Sequence, residues 1–108
     1  MKFNIFIPED DVNKQRGAPF PVLYHLGGLT SNQDNGAWKS GFAQHASKHR
    51  IAIVFPDTSP RDLADYKPVG EPSEHWYVGY GAGFYVDAVE EPWNKNFNMY
   101  TYITKELP

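Results

Sequence analysis

The sequence predicts an α/β fold built on a mostly parallel sheet, and three observations support this. Residues 21–26 and 51–55 are almost continuously apolar, which is typical of strands covered on both faces. Between them, residues 40–49 place apolar side chains at helical spacing. A strand, a glycine loop, a helix and a second strand form a βαβ unit, whose two strands run parallel.

Residues 3–8 alternate in polarity and predict a first strand. We expect Phe3, Ile5 and Ile7 to share one buried face of this strand, because successive side chains point to opposite faces. Ser40 is the predicted N-cap of the helix over 40–49, since its hydroxyl can accept from an unpaired amide of the first turn.

Residues 58–83 are rich in Pro, Gly, Asp and Tyr and show no sustained period, so they predict a long loop. A second amphipathic helix is predicted after Asn98, ending at Pro108. Its apolar positions at helical spacing are Met99, Tyr102, Ile103 and Leu107.

Composition excludes several classes of protein. With 41% apolar and 21% charged residues, the chain is globular rather than disordered. The net charge of −3 comes without a Lys/Arg block, which argues against a nucleic-acid or anionic-membrane partner. The longest apolar run, residues 51–55, is too short to cross a bilayer. Because there is no cysteine and no signal-like apolar start, we expect a cytoplasmic protein.

The 108 residues allow one domain at most, and we expect residues 1–108 to form an incomplete one. Two parallel strands and one edge strand leave backbone donors and acceptors unpaired at an open edge. A doubly wound fold would deliver another core strand after Pro108.

The segment from His25 to Ser31 is the most informative part of the sequence for function. A buried strand runs into Gly27 and Gly28, which brings backbone N–H groups to the carboxyl end of the sheet. Without a Cβ, glycine lets a reacting carbonyl approach the backbone. N–H groups placed there stabilise the negative charge that grows on a carbonyl oxygen during acyl transfer. On these residues alone, an ordinary glycine turn is the simpler interpretation.

The glycine run at 79–83 does not indicate a phosphate loop. Its spacing is G-x-G-x-G rather than G-x-G-x-x-G, and no strand precedes it. We interpret it as a flexible loop packed by Trp76, Phe84 and Tyr85.

Two clusters of titratable residues are interpreted as ordinary surface groups. His45 and His49 lie four apart on one predicted helix, but Ala46 stands where a zinc-protease motif needs glutamate. We expect a helix surface with two histidines, and no metal or cofactor. Asp87 and the pair Glu90–Glu91 are predicted to form a solvated loop face, since no partner lies across a cleft.

A serine hydrolase commonly carries its nucleophile in G-x-S-x-G on a strand-to-helix turn. No serine of this chain has glycines at both flanking positions: Ser31, Ser40, Ser47, Ser59 and Ser73. On these residues, the nucleophile is either absent from this sequence or carried in a setting other than G-x-S-x-G.

Several runs resemble the S-formylglutathione hydrolases, also called esterase D. They are Met1-Lys2-Phe3, Leu26-Gly27-Gly28-Leu29-Thr30, Lys39-Ser40-Gly41, residues 56–61 (P-D-T-S-P-R), residues 81–88 (G-A-G-F-Y-V-D-A), Pro92-Trp93 and residues 99–108. The P-D-T-S-P-R and G-A-G-F-Y-V-D-A runs are long and specific. The resemblance implies a partial α/β-hydrolase fold, with the N-terminal strands and first helices of a mostly parallel sheet, incomplete at both ends.

The resemblance also implies an activity and a site. Family members use a Ser-Asp-His triad to hydrolyse S-formylglutathione to formate and glutathione in formaldehyde detoxification, usually in the cytoplasm and often as homodimers. It implies that the Leu29 backbone N–H donates to the oxyanion and that Gly27 and Gly28 shape the loop. The substrate-binding residues that it implies are Gly27, Gly28, Thr30 and Trp76. The triad residues are expected beyond the segment that matches this chain.

Two departures from the family pattern stand out. Many members have a cysteine where this chain has Ser31, so sensitivity to thiol reagents at that point should be absent. The family's W-D-F-G is replaced by W-Y-V-G at residues 76–79.

Two other classes of protein stay open on these residues. One is a non-catalytic binding or interaction module, for which the aromatic-rich residues 66–85 could hold a ligand. The other is a small carbohydrate-binding β-sandwich, suggested by the aromatic and proline content. The βαβ pattern and the helix predicted after Asn98 count against the second.

Overall fold

The order of strands and helices is that of an α/β unit. The computed structural model describes residues 1–9, 19–61, 63 and 77–108. The strands are β1 (Phe3–Phe6), β2 (Val22–Tyr24) and β3 (Ala52–Pro56). The helices are α1 (Gln33–Lys39), α2 (Phe42–His49) and α3 (Met99–Thr101), which widens into a π-helix over Tyr102–Glu106. A short 3₁₀ turn covers Trp93–Lys95.

The sheet has the order β1-β3-β2, with β3 in the centre. β2 runs parallel to β3, with Leu23 opposite Ile53, and β1 runs antiparallel to it, with Ile5 opposite Val54. The predicted parallel βαβ pair is therefore confirmed, and the first strand lies at the edge as expected. The β-sandwich alternative is wrong, because the described residues form one small mixed sheet covered by helices.

The core lies on the central strand. All five residues of β3 are buried, and Ile53 and Phe55 form a cluster with Ala46 of α2. Phe6 and Phe42 pack against this cluster. The apolar run at 51–55 predicted this strand because a central strand has neighbours on both sides and both faces.

The buried face predicted for the first strand is wrong. Phe3, Ile5 and Ile7 are each about half exposed, at 49%, 52% and 59%. The helical layer covers the opposite face of β1, where the Asn4 Nδ2 donates to Asp34 Oδ1 of α1 at 2.8 Å. The strand was predicted correctly, and its orientation was not.

The outer strand β2 is also less buried than its sequence suggests. Val22 and Leu23 are 51% and 49% exposed, although the apolar run predicted a strand covered on both faces. The reason is position: among the described residues, β2 has a neighbour on one side only.

The helix predicted over 40–49 is in fact the second of two helices. Gly41, in the left-handed region with φ +66°, separates α1 from α2 and is the N-cap of α2. Ser40 is the C-cap of α1 and not the predicted N-cap, although its Oγ still accepts from the Phe42 N–H at 3.2 Å.

α1 was not predicted, since Gly36 and the Asp-Asn pair before it have low helix propensity. A capping box stabilises its start: Asn32 accepts from the helix, and Asn35 accepts from the Asn32 N–H at 2.8 Å. The two side chains satisfy donors that the first turn would otherwise leave unpaired.

The helix predicted after Asn98 is present. Met99 is 2% exposed, as its place in the apolar pattern predicts. Asp87 tethers the helix, because its carboxylate accepts from the Thr101 N–H at 2.9 Å and from the Thr101 Oγ1 at 2.7 Å. Within the described ranges, no helix has the length and apolar character needed to cross a membrane.

Candidate active site

The loop that leaves β2 lies at the carboxyl edge of the parallel pair. Because β2 and β3 run in the same direction, residues 25–31 and residues 57–61 emerge at the same edge. In open α/β sheets this edge is where ligands bind. The loop closes as a turn in which the Ser31 N–H donates to the Gly28 carbonyl at 3.1 Å. We call residues 27–31 the glycine loop.

The amides of the glycine loop differ in their partners. The Thr30 N–H donates to the Gly81 carbonyl at 2.7 Å, and the Ser31 N–H is satisfied within the turn. In contrast, no acceptor for the Leu29 N–H is found among the described residues, and Leu29 is 42% exposed. A backbone donor is thus left available at the edge where the fold places ligands.

The two glycines of the loop have different surroundings. A Cβ added to Gly27 would lie 3.2 Å from both the Ser31 Cβ and the Thr58 Cγ2, so the loop packs tightly there. A Cβ on Gly28 would meet nothing within 4 Å. Gly27 therefore permits the turn, whereas Gly28 borders open space next to the Leu29 amide.

The residues after β3 hold the far end of the glycine loop. The Ser31 carbonyl accepts from the Thr58 hydroxyl and, at 3.0 Å, from Nη2 of Arg61. The Arg61 Nε lies 3.1 Å and 2.9 Å from the two carboxylate oxygens of Asp57. Asp57 is 3% exposed and also accepts from the Thr58 N–H at 2.7 Å. A charge-assisted network around the buried Asp57 carboxylate thus fixes the loop on the end of the central strand.

The glycine run at 79–83 contacts the same loop. The Gly81 N–H donates to the buried Ser59 Oγ at 2.9 Å, while its carbonyl accepts from Thr30. The sequence predicted a loop here, and that is confirmed. Of the residues predicted to pack it, Phe84 is 56% exposed, whereas Tyr85 is partly buried and donates to the Gly27 carbonyl.

Four of the five predicted site residues are contiguous in the glycine loop. Gly27 and Gly28 shape the turn, and Leu29 presents its amide. Thr30 uses its backbone to bind Gly81 and adopts a positive φ of 63° with an exposed side chain. Trp76 lies outside the described residues.

The other clusters singled out in the sequence lie on the surface. His45 and His49 are exposed on α2, and Glu90 and Glu91 are exposed in a loop. In the part of the chain that the structure describes, no three His, Asp or Glu side chains are grouped so as to hold a metal ion.

The comparisons with known proteins define the class. The esterase family, described as "Putative esterase", matches residues 1–108, and the chain belongs to this family. Its fold is part of an α/β-hydrolase fold. A solved S-formylglutathione hydrolase from Agrobacterium tumefaciens superposes with a TM-score of 0.81 and 40% identity, over 98% of this chain and 35% of that one.

The curated relatives are more specific. S-formylglutathione hydrolases of Bos taurus and Rattus norvegicus are 46% and 45% identical to this chain over 108 residues. Each match covers all of this chain and 36% of the relative. The resemblance to the S-formylglutathione hydrolases is confirmed, and the chain spans about a third of the length of these relatives.

Sequence reasoning missed the residues that hold the glycine loop, namely Thr58, Ser59, Arg61 and Gly81. The runs P-D-T-S-P-R and G-A-G-F-Y-V-D-A contain all four and were recognised as family signatures. Their hydrogen bonds with the loop span up to 51 positions of sequence, from Thr30 to Gly81, a separation on which local periodicity carries no information.

Proposed function

We propose that this chain supplies one side of the active site of a cytoplasmic serine hydrolase that cleaves S-formylglutathione to formate and glutathione in formaldehyde detoxification. Relatives that carry the name S-formylglutathione hydrolase and share 46% and 45% of its residues support the substrate. The observation that carries the proposal is the Leu29 N–H, which is available at the carboxyl edge of a parallel strand pair.

In the proposed reaction, an activated serine from outside this chain attacks the thioester carbonyl while a histidine takes its proton. Negative charge moves onto the carbonyl oxygen, to which the Leu29 N–H donates. The C–S bond then breaks, the thiolate takes the proton from the histidine, and a formyl-serine remains. Water, deprotonated by the same histidine, attacks the formyl carbon of this ester. The bond from that carbon to the serine oxygen then breaks, the serine oxygen takes the proton from the histidine, and the product leaves as formate. One oxyanion donor contributes on the order of 3 kcal/mol to transition-state stabilisation.

The geometry around Gly28 fits this role. An oxyanion donor acts only if the substrate oxygen can reach it, and the space beside Gly28 is open. On its other side the loop is fixed to the end of β3 through the Ser31 carbonyl. A donor held rigid before the reaction needs no reorganisation as the charge develops.

We also propose that residues 1–108 form an incomplete domain. Support comes from the outer strands, where Phe3, Ile5, Val22 and Leu23 are about half exposed. Apolar side chains exposed on both outer strands, next to open sheet edges, indicate surfaces that further structure covers. The homodimer known in the family stays a prediction.

The test is a chimera in which this chain replaces the matching 108 residues of the Bos taurus relative. Turnover of S-formylglutathione should stay within about tenfold of the parent enzyme, equivalent to ~1.4 kcal/mol. A folded chimera with no turnover contradicts the proposal. The isolated chain should not hydrolyse p-nitrophenyl acetate, and appreciable turnover by it would show that the nucleophile lies within these residues.

A non-catalytic binding module is the second candidate. An apolar pocket of about 160 Å³, lined in part by Tyr77, Phe84 and Trp93, favours it. Cooperative thermal unfolding of the isolated monomer, together with an inactive chimera, would support this alternative over the hydrolase.

A further inference from the structure

Residues 81–85 lie along the glycine loop in reverse order. At one end, the Gly81 carbonyl accepts from the Thr30 N–H at 2.7 Å. At the other end, the Tyr85 hydroxyl donates to the Gly27 carbonyl, also at 2.7 Å. The segment therefore grips the loop on both sides of the Leu29 amide.

Between these two hydrogen bonds, Gly83 lies directly against the Gly28–Leu29 peptide. A Cβ built on Gly83 would come within 2.8 Å of the Gly28 carbonyl carbon and 3.0 Å of the Leu29 nitrogen. Real Cβ atoms essentially never approach other atoms so closely. The φ of +72° is a second reason for glycine at this position. The peptide that carries the Leu29 N–H is thus packed on one face by a residue that has no side chain.

The segment is itself anchored to the central strand. Ser59, 2% exposed after the end of β3, accepts from the Gly81 N–H at 2.9 Å. The glycine loop is held to the same strand end through Thr58 and the Ser31 carbonyl. The glycine loop and residues 81–85 are therefore both hydrogen-bonded to residues that directly follow β3.

We propose that Gly83 and Tyr85 are positioning residues that set the orientation of the Gly28–Leu29 peptide, and so aim the Leu29 N–H at the oxyanion. This inference rests on the proposed function. Neither residue touches the reacting atoms in this arrangement. They act by fixing the plane of the Gly28–Leu29 peptide. This matters because a catalytic donor has to be held within about 0.5 Å of its productive position.

The Tyr85 hydroxyl can perform this task at any pH used for hydrolase assays. Burial, and secondarily the negative charge of Asp57, raises the pKa of Tyr85 to about 12. The hydroxyl therefore stays protonated and continues to donate to the Gly27 carbonyl.

The experiment uses the chimera and its Tyr85→Phe variant, with Tyr100→Phe as the matched control because Tyr100 is 57% exposed and lies on α3. We expect Tyr85→Phe to lower kcat about fivefold, the effect of one ordinary hydrogen bond, with KM unchanged. A trifluoromethyl ketone analogue of the substrate, which forms an oxyanion adduct with the serine, should lose affinity by the same factor. Tyr100→Phe should change neither value.

Gly83→Ala is the second variant, with Gly41→Ala as its control. Both glycines have a positive φ, but a Cβ on Gly41 would meet only the Gln44 side chain, at 3.9 Å. Both variants should lose stability, and only Gly83→Ala should lose kcat and analogue affinity in parallel. The inference alone is overturned if the chimera is active and Tyr85→Phe and Gly83→Ala keep full kcat. It is also overturned if their kcat and KM change no more than those of the control variants. An inactive parent chimera overturns the proposed function, and this inference with it.

Discussion

The two glycines of the loop form a matched pair, because a methyl group would meet very different surroundings at each. At Gly28 it meets nothing within 4 Å, and φ is not in the positive region. Gly28→Ala should therefore stabilise the fold by ~0.4–1 kcal/mol, because alanine restricts the unfolded chain. At Gly27 the methyl lies 3.2 Å from Ser31 and Thr58 atoms. That crowding should outweigh the gain and destabilise Gly27→Ala by about 1 kcal/mol.

The expected effects on catalysis run in the opposite order. In the proposed site, the thioester carbonyl enters the open space beside Gly28 to reach the Leu29 N–H. A methyl group there keeps the oxygen from its donor, and losing one donor lowers kcat on the order of a hundredfold. Gly27→Ala leaves that space open, so its kcat should fall less than about fivefold.

The assay measures urea unfolding and S-formylglutathione turnover for the chimera and both variants. Stability and activity should change in opposite directions in the two variants. Gly28→Ala should be stable but turn over slowly, whereas Gly27→Ala should be less stable but keep most of its turnover. Full turnover by Gly28→Ala would refute the placement of the carbonyl. A loss of activity that merely follows the loss of stability in both variants would refute it as well.

Three further predictions concern the support of the site, each measured in the chimera. Arg61→Met leaves the buried Asp57 carboxylate without its cation, and urea unfolding should show a loss of about 2 kcal/mol; an unchanged midpoint would contradict the network. Hydrogen bonds, first from the Thr101 hydroxyl and then from its amide, hold the pKa of Asp87 below its usual 3.8. The stabilisation is therefore present above pH 3.8 and lost as pH falls through the lower folded pKa. Melting temperatures recorded down to about pH 2 should fall more steeply in the parent than in Asp87→Asn, and parallel curves would count against this. Ile53→Ala empties the centre of β3 and should lower the free energy of unfolding by about 3 kcal/mol; a loss comparable to that of a surface alanine substitution would argue against its place in the core.

The sequence predicted the central part of the fold because a strand that is buried on both faces is apolar along its whole length. The run at 51–55 is apolar throughout, and it forms the one strand among the described residues that has neighbours on both sides. The parallel pairing with β2 follows from the βαβ connection. In these places composition and spacing determine the structure.

The errors occur where tertiary contacts override the local pattern. α1 has a glycine in its middle and is stabilised by capping and by packing on β1, neither of which periodicity records. The packing of α1 also explains why Phe3 and Ile5 are exposed. α1 covers the face of β1 that carries Asn4, and Phe3 and Ile5 point to the opposite face.

The candidate site was predicted in part. Gly27, Gly28 and Leu29 were found because a glycine pair after a buried strand is a local pattern. The segment at 81–85 was not connected with them, because a hydrogen bond across 58 positions depends on how the chain folds back. Trp76 lies outside the described residues, so its role stays a prediction.

The way the glycine loop is fastened has a consequence for how such a site can change. Within the described part of the chain, the hydrogen bonds that hold it end on its main chain: on the carbonyls of Gly27, Gly28 and Ser31 and on the amide of Thr30. The identities of the side chains at positions 29 and 30 do not enter these bonds. The side chain at position 29 can therefore change without loss of any of these bonds, whereas position 30 is restricted to residues that tolerate its positive φ of 63°.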